Sequence, residues 1–319
     1  MSAPVVRVDN VTKRFAGHTA VDGLSLSVPP GTLYGLLGPN GAGKTTTIRM
    51  LMDIYEPDSG SIRLFDTDRG GRAHSQRIGY LPEERGLYPR MRVLDVLVFL
   101  AEAKGVARRI ARVQALEWLD RLGLADWRLR RVSDLSKGMQ QKVQFISTIL
   151  HDPDLIVLDE PFSGLDPVNS QVLRDTVVDA RRRGKTILFS THIMEHAEKL
   201  CDQLCIIARG KKLVDGTLPA VKQMHGGKHV VVAFDGSQGA ATRIFADRRL
   251  VARVEDFGGG GQEAELELAP GADAQEILRA LIESGARLLR FELVTPSLHK
   301  IFVDLVGPDA AKAAAVPNA

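Results

Sequence analysis

The sequence predicts an α/β core built on a mainly parallel sheet, followed by a smaller α+β domain. Three observations carry that reading. A Gly-rich loop at residues 38–46 sits between Leu33-Tyr34-Gly35-Leu36-Leu37, an apolar run short enough for a buried strand, and a helical stretch. Two further runs, Leu155-Ile156-Val157-Leu158 and Ile187-Leu188-Phe189, are apolar without alternation, the mark of strands buried on both faces. Beyond residue 228 the order of elements becomes βαββαβ, the ferredoxin-like arrangement.

At 319 residues the chain exceeds one typical domain, so two domains are the prior. Apolar residues at 44% and charged residues at 25% are ordinary for a globular protein. A formal charge of +3, with no basic stripe interleaved with aromatics, does not point to nucleic acid. Only Cys201 and Cys205 carry thiols, and no His or acidic cluster completes a metal set around them. Buried free thiols in a reducing cytoplasm fit that pattern. The opening Met1-Ser2-Ala3-Pro4-Val5 lacks the charged and apolar regions of a signal peptide. No apolar run approaches the ~18 residues of a membrane helix, so work at a membrane would need a second, spanning polypeptide.

Taken in order, residues 5–8 and 24–28 alternate like half-buried strands and predict an antiparallel β subdomain. Between them Phe15 falls in a polar stretch read as a loop, where its ring would either stack on a nucleobase or anchor the loop. The segment Gly38-Pro39-Asn40-Gly41-Ala42-Gly43-Lys44-Thr45-Thr46 then matches the P-loop pattern in its strand–loop–helix context. Glycines let successive N–H groups turn inward toward phosphate oxygens, and the helix beginning at Lys44 adds its positive end. Lys44 is expected to reach the β- and γ-phosphates, and the Thr45 hydroxyl to ligate Mg²⁺. The chain should therefore bind a nucleoside triphosphate.

A turn at 57–60, strands at 61–65 and 78–82, and the charged Glu83-Glu84-Arg85 follow. From about 93 to 150 the periodicity becomes helical, with Leu94, Leu97, Val98 and Ala101 on one face and Val113, Leu116, Leu119 and Leu122 on another. This helical insertion ends in Leu135-Ser136-Lys137-Gly138-Met139, where Ser136 can cap a helix running to about residue 151. The strand at 155–158 delivers Asp159 and Glu160 at its C-terminal end, where parallel sheets bind ligands. Asp159 suits a Mg²⁺ ligand, usually through water, and Glu160 a general base toward water. The next buried strand, 186–190, ends at Thr191-His192, so His192 reaches the same sheet edge and can hydrogen-bond a γ-phosphate. A helix through residue 200, a strand at 203–208 and a hairpin at Gly210 end the first domain near residue 224.

The C-terminal domain, 228–306, follows a linker at 225–228. Strands are expected at 230–234, 251–255, 263–268 and 287–294, helices at 239–246, 274–284 and 296–306, and a disordered tail at 307–319. On the last helix Leu298, Ile301, Phe302 and Leu305 share one stripe, suited equally to packing on its own sheet or to a dimer contact.

In the order P-loop, Leu135-to-Met139, Leu155-to-Glu160, Ser163-Gly164-Leu165-Asp166 and His192, residues 4–220 resemble ABC-type ATPases. The resemblance implies a P-loop NTPase core and a head-to-tail dimer, of identical or paired ATPase subunits, that sandwiches two ATP molecules with Mg²⁺. Phe15 would be the adenine-stacking aromatic, and Asn40, Gly41, Ala42 and Gly43 would cradle phosphate. Ser136, Lys137, Gly138 and Met139 would act on the partner's ATP, and Asp166 would sit in the D-loop at the dimer contact. Two departures from the family pattern stand out. Lys137 and Met139 replace a Gly and the Gln of the usual Leu-Ser-Gly-Gly-Gln, and Glu83 replaces the Q-loop glutamine, where a carboxylate can still ligate Mg²⁺. With the C-terminal domain and Thr295-Pro296-Ser297-Leu298, these departures look like the branch containing sodium- and drug-efflux subunits. That likeness implies a cytoplasmic ATPase, peripheral on the inner face of the membrane, driving a separate multi-span permease. A soluble ABC ATPase acting on ribosome or DNA is the alternative, but such relatives carry two cassettes or long coiled coils. A small-molecule kinase would leave the 135–139 segment and His192 without a role.

Overall fold

In the computed structural model, which describes residues 3–68, 70–84, 86–225, 229–235, 238–256, 263–285, 287–294 and 296–307, β1 (Val6–Phe15) and β2 (His18–Val28) form an antiparallel hairpin. Both strands run well past the alternating residues that announce them. Register shifts between Val8 and Val11 and between Val11 and Lys13 interrupt the period of two, which hides the continuation in the sequence. Phe15 therefore ends a strand, opposite His18 across the turn, instead of lying in a loop.

Next come β3 (Leu33–Leu37), α1 (Lys44–Leu51), β4 (Ser59–Leu64) and β5 (Ile78–Leu81), then α2 (Val93–Ala103), α3 (Arg108–Arg121) and α4 (Lys137–Ile149). The chain continues through β6 (Leu155–Asp159), α5 (Pro167–Arg182), β7 (Thr186–Thr191), α6 (Met194–Leu200), β8 (Gln203–Ala208) and β9 (Lys211–Thr217). Strands β2-β1-β4 make the expected antiparallel sheet. The main sheet has the order β5-β6-β7-β3-β8-β9, parallel except for β9 at its edge. Every residue of β3, β6 and β7 is buried, as their unbroken apolar runs require.

In the helical insertion α3 presents a different face from the one its periodicity suggests. Leu119 and Leu122 are buried, but Val113 is 52% exposed and Leu116 37% exposed. The buried face is instead Ala111, Ala115 and Leu119. Alanines let two helices approach closely, and the bulkier residues are turned outward.

The chain divides into two compact units, one formed by the residues up to Leu218 together with those from Leu305 on, and the other by Pro219–Asp304. α7 (Leu218–His225) leads into β10 (His229–Asp235), α8 (Gln238–Phe245), β11 (Val251–Asp256), β12 (Glu263–Leu268), α9 (Ala274–Glu283), β13 (Arg287–Val294) and α10 (Leu298–Val306). The sheet order β11-β12-β10-β13, antiparallel throughout, is the ferredoxin-like topology. Val230, Val232 and Phe234 alternate toward a core shared with Leu266, Ile277 and Leu281. On α10, Leu298, Ile301 and Phe302 are buried, so most of that stripe is used within the folded chain. The predicted linker from residue 226, Arg85, Thr295 and the predicted disordered tail from residue 308 lie outside the described residues. Among the described residues no helix is long and apolar enough to cross a membrane.

Candidate active site

The loop after β3 folds around two close backbone approaches. A Cβ on Gly38 would stand 2.2 Å from the Ile207 carbonyl oxygen, and one on Gly43 2.4 Å from that of Ala20. Gly43 also holds a left-handed conformation, φ 105°, as the residue preceding α1. Lys44, the first residue of α1, is buried. Its ammonium donates to the Gly38 and Pro39 carbonyls at 2.8 and 3.2 Å and lies 3.4 Å from Glu160 Oε1. The first-turn N–H groups of α1 have no helical acceptor, which makes this end of the helix suited to an anion.

Parallel pairing of β6 and β7 sets Asp159 opposite Ser190 at the same sheet edge. Ser190 Oγ donates to Asp159 Oδ1 at 2.5 Å and accepts the Glu160 N–H at 3.1 Å. Thr45 Oγ1 donates to the same Asp159 oxygen at 3.2 Å. The other oxygen, Oδ2, is buried without a hydrogen-bond partner. Burial pushes the Asp159 carboxyl above the usual carboxylate range, opposed by the two hydroxyls that bond it.

Glu160 takes φ 47°, uncommon outside glycine and a conformation that costs about 1–3 kcal/mol. Its Oε1 lies 3.0 Å from His192 Nδ1. That hydrogen bond raises the His192 pKa above its ordinary value, against partial burial.

Above these groups opens a cleft of about 430 Å³ lined by Phe15, His18, Ala20, Asn40, Gly41, Ala42, Gly43, Lys44, Thr45, Thr46, Glu83 and Glu160. The structure thus brings Phe15, most of the P-loop, Glu83 and Glu160 to one cavity. Phe15 is 40% exposed, with its ring edge-on to Tyr55 at 5.3 Å, so one pocket wall is both anchored and open. Burial, with the nearby negative charges of Asp159 and Glu160, pushes the Glu83 carboxyl up.

Residues Ser136–Met139 do not line this cleft. Ser136 caps α4, its Oγ accepting the Met139 N–H at 3.3 Å, and both Ser136 and Lys137 are exposed. Asp166 caps α5 through the Asn169 N–H at 2.9 Å. The space beside Gly138 is bounded by Leu165 and Asn169, so the two helix N-termini form one outward surface.

Ser190 is the residue that sequence reasoning missed. A hydroxyl ending a strand carries no signal alone, but aligning the ends of the two buried runs places it beside Asp159. His18 and Ala20 were likewise missed, since they line the cleft only through the β1–β2 hairpin.

Comparison with known proteins fits this geometry. Residues 21–163 match the ABC transporter family model, and residues 216–306 the C-terminal domain of ATP-binding protein DrrA1-3-like. An ABC transporter ATP-binding protein of Bacillus subtilis (strain 168), YhaQ, is 44% identical over 304 residues, 95% of this chain and 99% of that one. The Nod factor export ATP-binding protein I of Burkholderia orbicola (strain AU 1054) is 38% identical over 245 residues, 76% of this chain and 80% of the other. A solved structure of an ATP binding subunit of an ABC transporter superposes with a TM-score of 0.65 at 29% identity, over 69% of this chain and 92% of that one. These relatives are transport ATPases, which sets aside the ribosome- or DNA-directed alternative. With a P-loop floor, paired strand-end acids and full-length likeness to such subunits, this chain belongs to the ABC transporter ATP-binding proteins, which hydrolyse ATP to drive transport.

Proposed function

We propose that the chain works as one half of a head-to-tail pair that closes on two ATP molecules, with Glu160 as general base. The observation that carries this reading is the single Glu160 oxygen shared by Lys44 and His192 at the floor of the P-loop cleft. Triphosphate entering the cleft supplies Lys44 with stronger acceptors than the Gly38 and Pro39 carbonyls. Glu160, already oriented by its backbone, is then positioned to take a proton from the attacking water. His192 orients the carboxylate and, when charged, offers a donor toward the γ-phosphate.

The donor set fits Mg²⁺, because Asp159 Oδ2 is a buried oxygen without a partner and the Thr45 hydroxyl stands at the other oxygen of that carboxylate. Thr45, Asp159 and, on the cleft wall, Glu83 are the residues that would hold the ion. Bound there, it would neutralise charge developing on the phosphates. Phe15 offers its exposed face to adenine. Ser136 and Lys137, exposed like Asp166, and the half-buried Gly138 and Met139 beside them would complete the site of the other subunit.

The helical insertion and the loop that precedes it carry the apolar surface for a separate multi-span permease at the inner face of the membrane. Tyr88 and Phe99 stack edge-on at 5.7 Å and stay about half exposed, and Val113 and Leu129 are exposed too. The likeness to Nod factor export proteins supports outward transport. The C-terminal unit acts as a regulatory or dimer-supporting module, since among the described residues none that lines the cleft comes from it.

A mixing experiment tests the shared site. Lys44→Ala and Ser136→Arg chains should each be inactive, and their mixture should recover part of the turnover, because one composite site is then intact. A mixture that stays inactive would mean that each chain completes its own site, and turnover by Ser136→Arg alone at the wild-type rate would mean that Ser136 has no part in it.

A further inference from the structure

Two loops, one before the helical insertion and one within it, carry arginines that the nucleotide site does not use. Residues 88–92 lead into α2, and residues 127–132 run beside them in the opposite direction. The Val93 and Leu94 N–H groups donate to the Arg130 and Arg128 carbonyls at 2.9 and 3.0 Å, and the Val132 N–H to the Met91 carbonyl at 3.0 Å. The first N–H groups of α2 thus find acceptors in the second loop, which locks the two segments together. Arg90, Arg92, Arg128, Arg130 and Arg131 are all exposed on this edge. Trp127, 36% exposed, and Leu129, 58% exposed, are interleaved with them.

Nothing within the chain balances these charges. Arg92 and Arg131 are antiparallel bridge partners, which sets two cations directly opposite each other, a disfavoured pairing. Among the described residues no carboxylate forms an ion pair with any of the five arginines. The acids on the same turns are Asp95, Asp126 and Asp134. Asp134 accepts instead from the Arg131 N–H at 3.2 Å and the Ser133 hydroxyl at 3.1 Å. Arg128 Nη1 turns back to the Ala125 carbonyl at 2.8 Å. Guanidinium groups held together in this way suit a surface of phosphates, which arginine binds through paired N–H donors. An indole among them suits the same surface, because tryptophan settles at the level of membrane headgroups.

We propose that this basic edge lies on the anionic phospholipid headgroups of the inner leaflet, with Trp127 among them and Leu129 continuing into the apolar surface assigned to the permease. The inference rests on the reading that the insertion faces a membrane, and it adds a contact with the lipid itself. An acidic patch on the permease is the poorer match, since cytoplasmic loops of membrane proteins carry an excess of Lys and Arg. The leaflet around those loops is negative and attracts clusters of about four to eight basic residues. None of the five arginines lines the nucleotide cleft, so the contact holds the chain at the membrane with or without ATP.

Co-sedimentation of the full chain with vesicles, without any permease, tests the proposal, so its failure would leave the permease reading standing. Wild type should bind vesicles of equal parts phosphatidylglycerol and phosphatidylcholine, not pure phosphatidylcholine, and should be released by salt. A chain with Arg92→Ala, Arg130→Ala and Arg131→Ala should bind on the order of 10²-fold more weakly, since each arginine near such a surface contributes a factor of about five. A chain with Arg7→Ala, Arg63→Ala and Arg182→Ala loses the same charge from exposed, acid-paired positions and should bind like wild type. ATP binding by both variants shows that they are folded. In a Trp118→Phe chain, where Trp127 is the remaining tryptophan, emission should shift to the blue on the anionic vesicles alone. Wild type that ignores anionic vesicles, equal losses in the two triple variants, or Trp127 emission that does not move would each overturn the assignment. Vesicle binding that the first triple variant leaves unchanged would overturn it too, and would leave these arginines to an acidic protein partner.

Discussion

Glu160 and His192 meet through one oxygen, Oε1, at 3.0 Å from Nδ1. The contact links the ends of two adjacent buried strands and fixes how the carboxylate enters the cleft.

One consequence is a pH dependence. The hydrogen bond to Glu160 raises the folded-state pKa of His192 above the unfolded value of about 6.5. The stabilisation is therefore full below that value and is lost as pH rises through the folded-state pKa. An NMR titration of the nucleotide-free protein should find His192 titrating above an ordinary histidine, and Glu160→Gln should lower it. An unchanged titration in that variant would remove the coupling.

Ser190 holds the Asp159 carboxylate and the Glu160 amide at once. Ser190→Ala should destabilise the chain by about 1–3 kcal/mol, since it leaves a buried N–H without its acceptor and a buried carboxylate with one donor fewer. Urea unfolding measures this. A variant as stable as wild type would mean that the two groups find other partners.

Both thiols lie deep in the first unit, and burial raises the pKa of each. Iodoacetamide at mildly alkaline pH should label neither Cys201 nor Cys205 in the native protein, and both after unfolding. Rapid native labelling would contradict the packing of β8 against β3.

The candidate site was legible in the sequence because its constraints are local. A loop from Gly38 to Thr46 between a buried strand and a helix admits few other readings, and Asp159, Glu160 and His192 follow from which strands are unbroken apolar runs. Strand register was not legible. Ser190 becomes significant only when β6 and β7 are aligned side by side, and the length of β1 only when its register shifts are seen. On α3 the apolar period was real, but small residues won the buried face and left Val113 and Leu116 outside. The C-terminal topology was readable from its element order, whereas the exposure of β13 depends on which strands end at the edge.

The central claim is that Glu160 is the base for ATP hydrolysis at this site. The direct measurement is ATP binding and steady-state turnover, side by side, for wild type and Glu160→Gln with Mg²⁺. The amide keeps the size of the side chain but cannot accept the proton, so binding should persist while turnover falls on the order of 10²–10⁴-fold. Hydrolysis at the wild-type rate by Glu160→Gln would contradict the account.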